Sequence, residues 1–158
     1  MAPPSPSCLL AALITAGGSL TPLALAPLPA QSALVAQATQ ARPLAPALQG
    51  RPVVVDIYAS WCGACRAIAP TLGTVRKREG AQAHFITFDV SDAARLREAR
   101  QRARQLGLDR FLEAHRSQTA LVAVINPATG TTVKTLRAST SEAAYREAIA
   151  QTRAQLRR

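Results

Sequence analysis

Two cysteines stand three residues apart, Cys62 and Cys65, at the end of the stretch Val53-Val54-Val55-Asp56-Ile57-Tyr58-Ala59-Ser60-Trp61. The β-branched run predicts a buried strand, and the cysteines fall where a helix is expected to begin. A sulfur at a helix start sits beside unpaired backbone N–H groups and the positive end of the helix dipole, both of which favour thiolate over thiol. Free cysteine has a pKa of about 8.5, and such sites lower it to roughly 3.5–7.5, so Cys62 is the expected nucleophile. Cys65 lies one helical turn on and on the same face, where it can close a small disulfide ring with Cys62. It is the expected resolving thiol, the more buried and less acidic of the two. Gly63 and Ala64 put no bulk over the sulfurs, and Trp61 would shield one flank. Two other readings use the same residues. One is half of a zinc site, for which the chain otherwise offers Cys8, His84 and His115 against a need for four ligands. The other is a pair of inert core cysteines. The flanking Trp61, the strand and the helix start favour redox chemistry.

Asp56, inside an apolar strand, should be desolvated, which raises a carboxyl's pKa toward the range useful for accepting and returning a proton. The alternative is an ordinary carboxylate at a strand end. From Val55-Asp56 through Pro70 the segment resembles the active-site region of thioredoxins. The resemblance covers about residues 50–150 and is strongest in the first twenty. It implies that Asp56, six residues before Cys62, is the acid buried beneath the resolving cysteine, where it assists that thiol's proton transfer. It also implies that Pro70, five residues after Cys65, kinks the active-site helix; by local rules alone Pro70 can simply end a short helix at Ala69. Two departures stand out. Thioredoxins carry a cis-proline ahead of a central strand, and that strand is expected here at Ala120–Ile125, which puts Thr119 at the proline position. A threonine there adds a hydroxyl and a backbone donor beside Cys62, able to stabilise its thiolate or to leave room for a metal; shifted by one residue, Thr119 is merely at the strand edge. The second departure is that the lysine often found near the buried acid has no counterpart in His84–Val90.

The elements that must position these groups follow from patterning. A helix over about 62–78 ends at Glu79-Gly80, and a strand spans 84–90. Ser91 and Asp92 are candidate N-caps of a helix to Leu106, with Leu96, Ala99, Ala103 and Leu106 as its apolar stripe. Gly107 breaks it, and Asp109–His115 forms a second helical segment. Asn126–Gly130 carries the residues of a hairpin loop, so Thr132–Leu136 should pair antiparallel with the preceding strand. Ser139–Ser141 start the last helix, which packs through Ala144, Tyr145, Ala148, Ile149 and Thr152. The order fits an α/β class, a thioredoxin-like fold with a central mixed β-sheet flanked by helices on both faces. His84 and His115 are expected to be structural or surface residues.

The chain has 158 residues and a net charge of +10, from 19 Lys plus Arg against 9 Asp plus Glu. No RNA-binding aromatic motif or zinc-finger spacing accompanies that charge, so no nucleic acid is expected, and an acidic protein or an anionic membrane surface is the fitting partner. The first 41 residues carry no charged side chain. Cys8–Ala16 is an apolar stretch of signal-peptide length, with Ala36-Gln37-Ala38 as a small-x-small cleavage site. Residues 1–38 are therefore expected to be a signal peptide; the alternatives are a membrane anchor over 9–28 and a cytoplasmic extension. Residues 39–51 would be a linker or short first helix and 52–158 one domain. After such a cleavage Cys62 and Cys65 are the cysteines that remain.

The expected activity is that of an exported (periplasmic or lumenal) thiol-disulfide oxidoreductase, monomeric, with no cofactor, acting on protein disulfides and served by a thiol electron donor. A disulfide oxidase or isomerase, a non-catalytic binding protein of the same fold, and a dimer sharing a metal or iron-sulfur cluster are the alternatives.

Overall fold

The computed structural model describes residues 42–158; the candidate signal or anchor, its cleavage site and Cys8 lie outside the described residues. A four-stranded sheet runs in the order β2-β1-β3-β4, with β1 Val53–Tyr58, β2 His84–Asp89, β3 Leu121–Asn126 and β4 Thr131–Arg137. β1 and β2 are parallel, joined through helix α1 (Gly63–Glu79), while β3 is antiparallel to both β1 and β4. Helices α2 (Ala93–Leu106) and α3 (Asp109–His115) follow β2, and α4 (Glu142–Leu156) closes the chain. This is the mixed sheet with helices on both faces that the resemblance implies, a thioredoxin-like fold.

Strand alternation sorts the core into two layers. Val53, Val55 and Ile57 of β1 join Leu121, Ala123 and Ile125 of β3 under Ala99, Ala103 and Leu112 of α2 and α3. On the opposite face Val54, Val122 and Val124 pack against Cys65, Ile68 and Val75 of α1 and against Tyr145, Ala148 and Ile149 of α4. β3 is buried at every position because both of its faces are covered. Asp56 falls between Val54 and Tyr58 on the α1/α4 face, so the alternation that buries the valines aims this carboxyl into the core. The ion pairs between helices, Arg78–Glu142 and Arg146–Glu79 across α1 and α4 and Arg100–Glu113 across α2 and α3, are exposed enough to contribute little.

One boundary, the start of β3, differs from the sequence expectation, and two others follow one of the alternatives it left open. The segment before β1 is not a bare linker, because Leu44 and Leu48, around a 3-10 turn at Pro46–Leu48, are buried in the first core layer. Pro70 does not end a helix at Ala69, since α1 continues through it to Glu79. β3 begins at Leu121 rather than Ala120. The caps follow their expected chemistry: Asp92 accepts from the Arg95 amide, Ser141 accepts from the Ala144 amide, and Gly107 ends α2 at φ 74°. The histidines are structural: His84 meets Arg51 at 3.4 Å and His115 packs on the Phe111 ring.

Candidate active site

The end of β1 delivers the chain into a tight loop whose geometry is fixed from three sides. The Cys62 amide donates to the Ala59 carbonyl at 3.1 Å, and the Arg66 guanidinium donates to the Ser60 carbonyl at 2.9 Å. The loop is also tied to the β2–α2 connection. Ser91 Oγ accepts from the Ser60 amide at 2.8 Å and the Ser91 carbonyl accepts from Trp61 Nε1 at 3.0 Å. Asp89 in turn anchors Ser91 through both its amide and its hydroxyl. Trp61 is thereby held flat to the rim while 63% exposed, the exposed large hydrophobic among the described residues.

Cys62 is the N-cap of α1, and its Sγ accepts a hydrogen bond from the Cys65 amide at 3.0 Å. It is joined to Cys65 in a disulfide with a Cα–Cα separation of 5.3 Å. In the reduced protein the same N–H and the helix terminus would face a thiolate at Cys62, the arrangement that lowers a thiol pKa. Cys62 is 7% exposed and Cys65 2%, so the sulfur a partner can reach first is Cys62. Gly63 and Ala64 are exposed and leave that sulfur unobstructed. Cys65 Sγ points inward, 4.0 Å from the Ile57 carbonyl oxygen, one residue along β1 from Asp56.

Asp56 precedes Ile57 on the same strand. Its Oδ1 is buried without a hydrogen-bond partner. Desolvation pushes its pKa up to about 6, against an opposing pull from the positive charge of Arg76. Tyr145 of α4, whose hydroxyl donates to the Ser139 carbonyl at 2.8 Å, is pushed up to about 12 by burial and by the Asp56 charge. Tyr145 therefore stays protonated, and Asp56 is the group here able to exchange a proton near neutrality.

The strand register corrects the placement of Thr119. Ile57 pairs with Leu121, and the residue immediately before the strand is Ala120. Ala120 is buried in the same cluster as both cysteines, at φ 58°, with its amide donating to the Ile57 carbonyl at 2.9 Å. Thr119 lies one residue further out, half-buried in the preceding turn. The expectation of a threonine donor beside Cys62 thus passes to an alanine, because a left-handed residue, rare outside glycine, separates the turn from the strand.

Three contributors were not singled out from the sequence: Ala120, the Ser91–Asp89 anchor and Arg76. For Arg76 a signal existed. Cys65, Ala69, Leu72 and Arg76 repeat at intervals of four, three and four residues, one stripe of a helix, so an arginine extends the line of the resolving cysteine.

The chain is similar in sequence to known thioredoxin-type proteins. The Thioredoxin family model matches residues 37–101. A thiol:disulfide interchange protein TxlA homolog of Synechocystis is 39% identical over 89 residues, covering 56% of this chain and 49% of that protein. A Chlamydomonas reinhardtii H-type thioredoxin is 39% identical over 49 residues, 31% of this chain and 43% of that one. The chain thus spans about half or less of the length of these relatives. Among solved structures, Fasciola hepatica thioredoxin superposes with a TM-score of 0.46 at 24% identity, over 67% of this chain and 85% of that chain. MTB dsbF gives 0.47 at 19%, over 67% and 84%.

Proposed function

We propose that the chain, whose residues 37–101 match the Thioredoxin family model, is a thiol-disulfide oxidoreductase that reduces or exchanges disulfides of partner proteins through Cys62 and Cys65. The observation that carries this reading is the capped cysteine: Cys62 Sγ sits at the N-terminus of α1, accepts the Cys65 amide and is bonded to Cys65. The Cys62 thiolate attacks one sulfur of a partner disulfide, forming a mixed disulfide and releasing the other partner sulfur as thiolate. Cys65 gives its proton to Asp56 and attacks Cys62 Sγ, which expels the second partner thiolate. Two electrons have moved, the partner is reduced, and the Cys62–Cys65 disulfide is left for an external thiol donor to reduce. Run in reverse, the same steps oxidise a partner; direction is set by a reduction potential that spans roughly 150 mV among proteins of this fold.

Trp61, Gly63 and Ala64 form the docking rim in this account, Pro70 has a supporting role in the helix, and Ala120 takes the place facing the cysteines that was expected for Thr119. The protein works outside the cytoplasm, a reading supported by the charge-free first 41 residues and the apolar Cys8–Ala16 stretch. Among the described residues no helix is long and apolar enough to cross a membrane. Its substrates are protein disulfides, and it acts as a monomer without a cofactor. Dithiothreitol-driven reduction of insulin by the chain, compared with Cys62→Ser, tests the activity. Turnover in the parent and none above background in the variant is expected, and equal rates in two folded samples would contradict it.

A further inference from the structure

We propose that the outer edge of β2 is a docking site for an extended segment of another protein, acidic on one face and apolar on the other, which adds to the sheet as a strand beside Phe85 and Thr87. The surface stands apart from the thiol chemistry. The sheet order β2-β1-β3-β4 gives β2 a single neighbour. The His84 amide donates to the Pro52 carbonyl and the Val90 amide to the Tyr58 carbonyl, both at 2.8 Å, so the even-numbered residues of β2 turn their backbone groups toward β1. Those groups alternate in direction along a strand, and the N–H and C=O of Phe85 and Thr87 therefore point away from β1. Among the described residues no strand meets them there.

Of the two sheet edges, β2 is the one open to pairing. β4 carries Lys134 and a bulge where its pairing slips between Val124 and Ile125 of β3, both devices that discourage an added strand. β2 has neither lysine nor proline and runs beside β1 without interruption from His84 to Asp89.

A hollow opens on each face of this edge, and Thr87 lines both. The one on the α1 face, about 310 Å³, is walled by Tyr58, Ala69, Leu72 and Gly73. The carboxyl there is Asp56, which favours an apolar over an acidic guest. The one on the α2 face, about 180 Å³, is walled by Arg95, Glu98, Ala99 and Arg102. Glu98 is paired with Arg95 at 3.3 Å, and the Asp89 carboxylate holds Ser91, so Arg102 is the charge left to meet an incoming carboxylate. Successive side chains of a strand point to opposite faces, and a segment of alternating acidic and apolar residues would fill the two hollows in turn. Main-chain bonds to the edge then supply affinity and the hollows supply selection, while the net charge of +10 attracts an acidic partner.

The test is amide NMR and hydrogen exchange on the full chain with a short, acetylated and amidated peptide of alternating glutamate and valine. Binding should slow exchange at the Phe85 and Thr87 amides and change little at Ile86 and Phe88, which already face β1. A copy of the peptide methylated on alternate amide nitrogens keeps the charge and blocks the main-chain bonds, and it should not bind; nor should a peptide of alternating lysine and valine. Thr87→Pro removes an N–H that the β1 ladder does not use, a place where an edge strand tolerates proline, and Arg102→Glu reverses an exposed charge. Each should weaken the glutamate peptide by about tenfold or more. Equal binding of the methylated peptide would mean charge attraction alone and overturn the inference. So would unweakened binding in a folded Thr87→Pro or Arg102→Glu protein, or Phe85 and Thr87 amides already slow before peptide is added, as in a dimer joined through β2. The assay involves no turnover, so its outcome is separate from that of the insulin assay.

Discussion

Asp56 makes the fold less stable whenever it is ionised, and Asp56→Asn should expose that cost as a function of pH. Its pKa rises from 3.8 to about 6 on folding. A raised folded pKa means that the group's contribution is fully present below the unfolded value and lost as pH climbs through the folded one. Below pH 4 the carboxyl is neutral in both states and costs nothing. Between 4 and 6 the unfolded chain ionises while the folded protein holds its proton, so stability falls by up to about 1.4 kcal/mol per pH unit. Above 6 the loss levels off at roughly 3 kcal/mol. Asparagine copies the shape of the neutral acid and cannot ionise. In the oxidised protein, Asp56→Asn and the parent should unfold at similar urea concentrations at pH 3.5. At pH 8 the variant should be more stable by roughly 3 kcal/mol, which is about 2 M urea for a domain of this size. Urea titrations followed by circular dichroism at half-unit steps of pH would read the difference. A gap between the two proteins that stays constant from pH 3.5 to 8, or a variant less stable at pH 8, would refute the claim that burial strains this carboxylate.

Other consequences are local. Gly130 sits at φ 71°, and a Cβ there would collide with the Arg42 carbonyl oxygen, so Gly130→Ala should cost more than about 2 kcal/mol in thermal unfolding. Gly73 is helical and open, and Gly73→Ala should stabilise by up to about 1 kcal/mol in the same experiment. Ala138 is exposed at φ 48°; Ala138→Gly should raise stability by about 1 kcal/mol, because only glycine adopts that conformation without steric cost. Trp61 buries little surface, and Trp61→Ala, which removes its bond to the Ser91 carbonyl, should change the urea midpoint by the equivalent of no more than about 1 kcal/mol.

The parts legible in the sequence were those governed by local rules. The valine run, the cysteine spacing and the caps Asp92, Gly107 and Ser141 each specify a conformation within a few residues, and β1, α2 and α4 stand where those residues direct. What escaped depends on neighbours distant in the chain. Ala120 carries no mark of a left-handed conformation; at φ 58° it is held between the Ile57 carbonyl of β1 and the Ala138 amide just past β4. That one residue moved the start of β3 and with it the position first given to Thr119. Pro70 can end a helix by local rules, yet α1 has a tertiary reason to persist, because Val75 beyond the proline is fully buried and adds to the packing that holds the helix. Leu44 and Leu48 lie among prolines and polar residues, and their burial follows from a groove that α2 and β3 create. Arg76 acts on Asp56 only because α1 crosses β2 at Phe85 and Thr87.

The central claim is a division of labour in which Cys62 attacks and Cys65 resolves. Reduced Cys65→Ser, mixed with a partner protein carrying one accessible disulfide and analysed by mass spectrometry without reductant, tests it directly. A covalent adduct of the two chains, mapped to Cys62 and absent with Cys62→Ser, is the predicted result. An adduct that forms equally with Cys62→Ser through Cys65, or no adduct from a folded Cys65→Ser protein while the parent turns over insulin, would contradict the account.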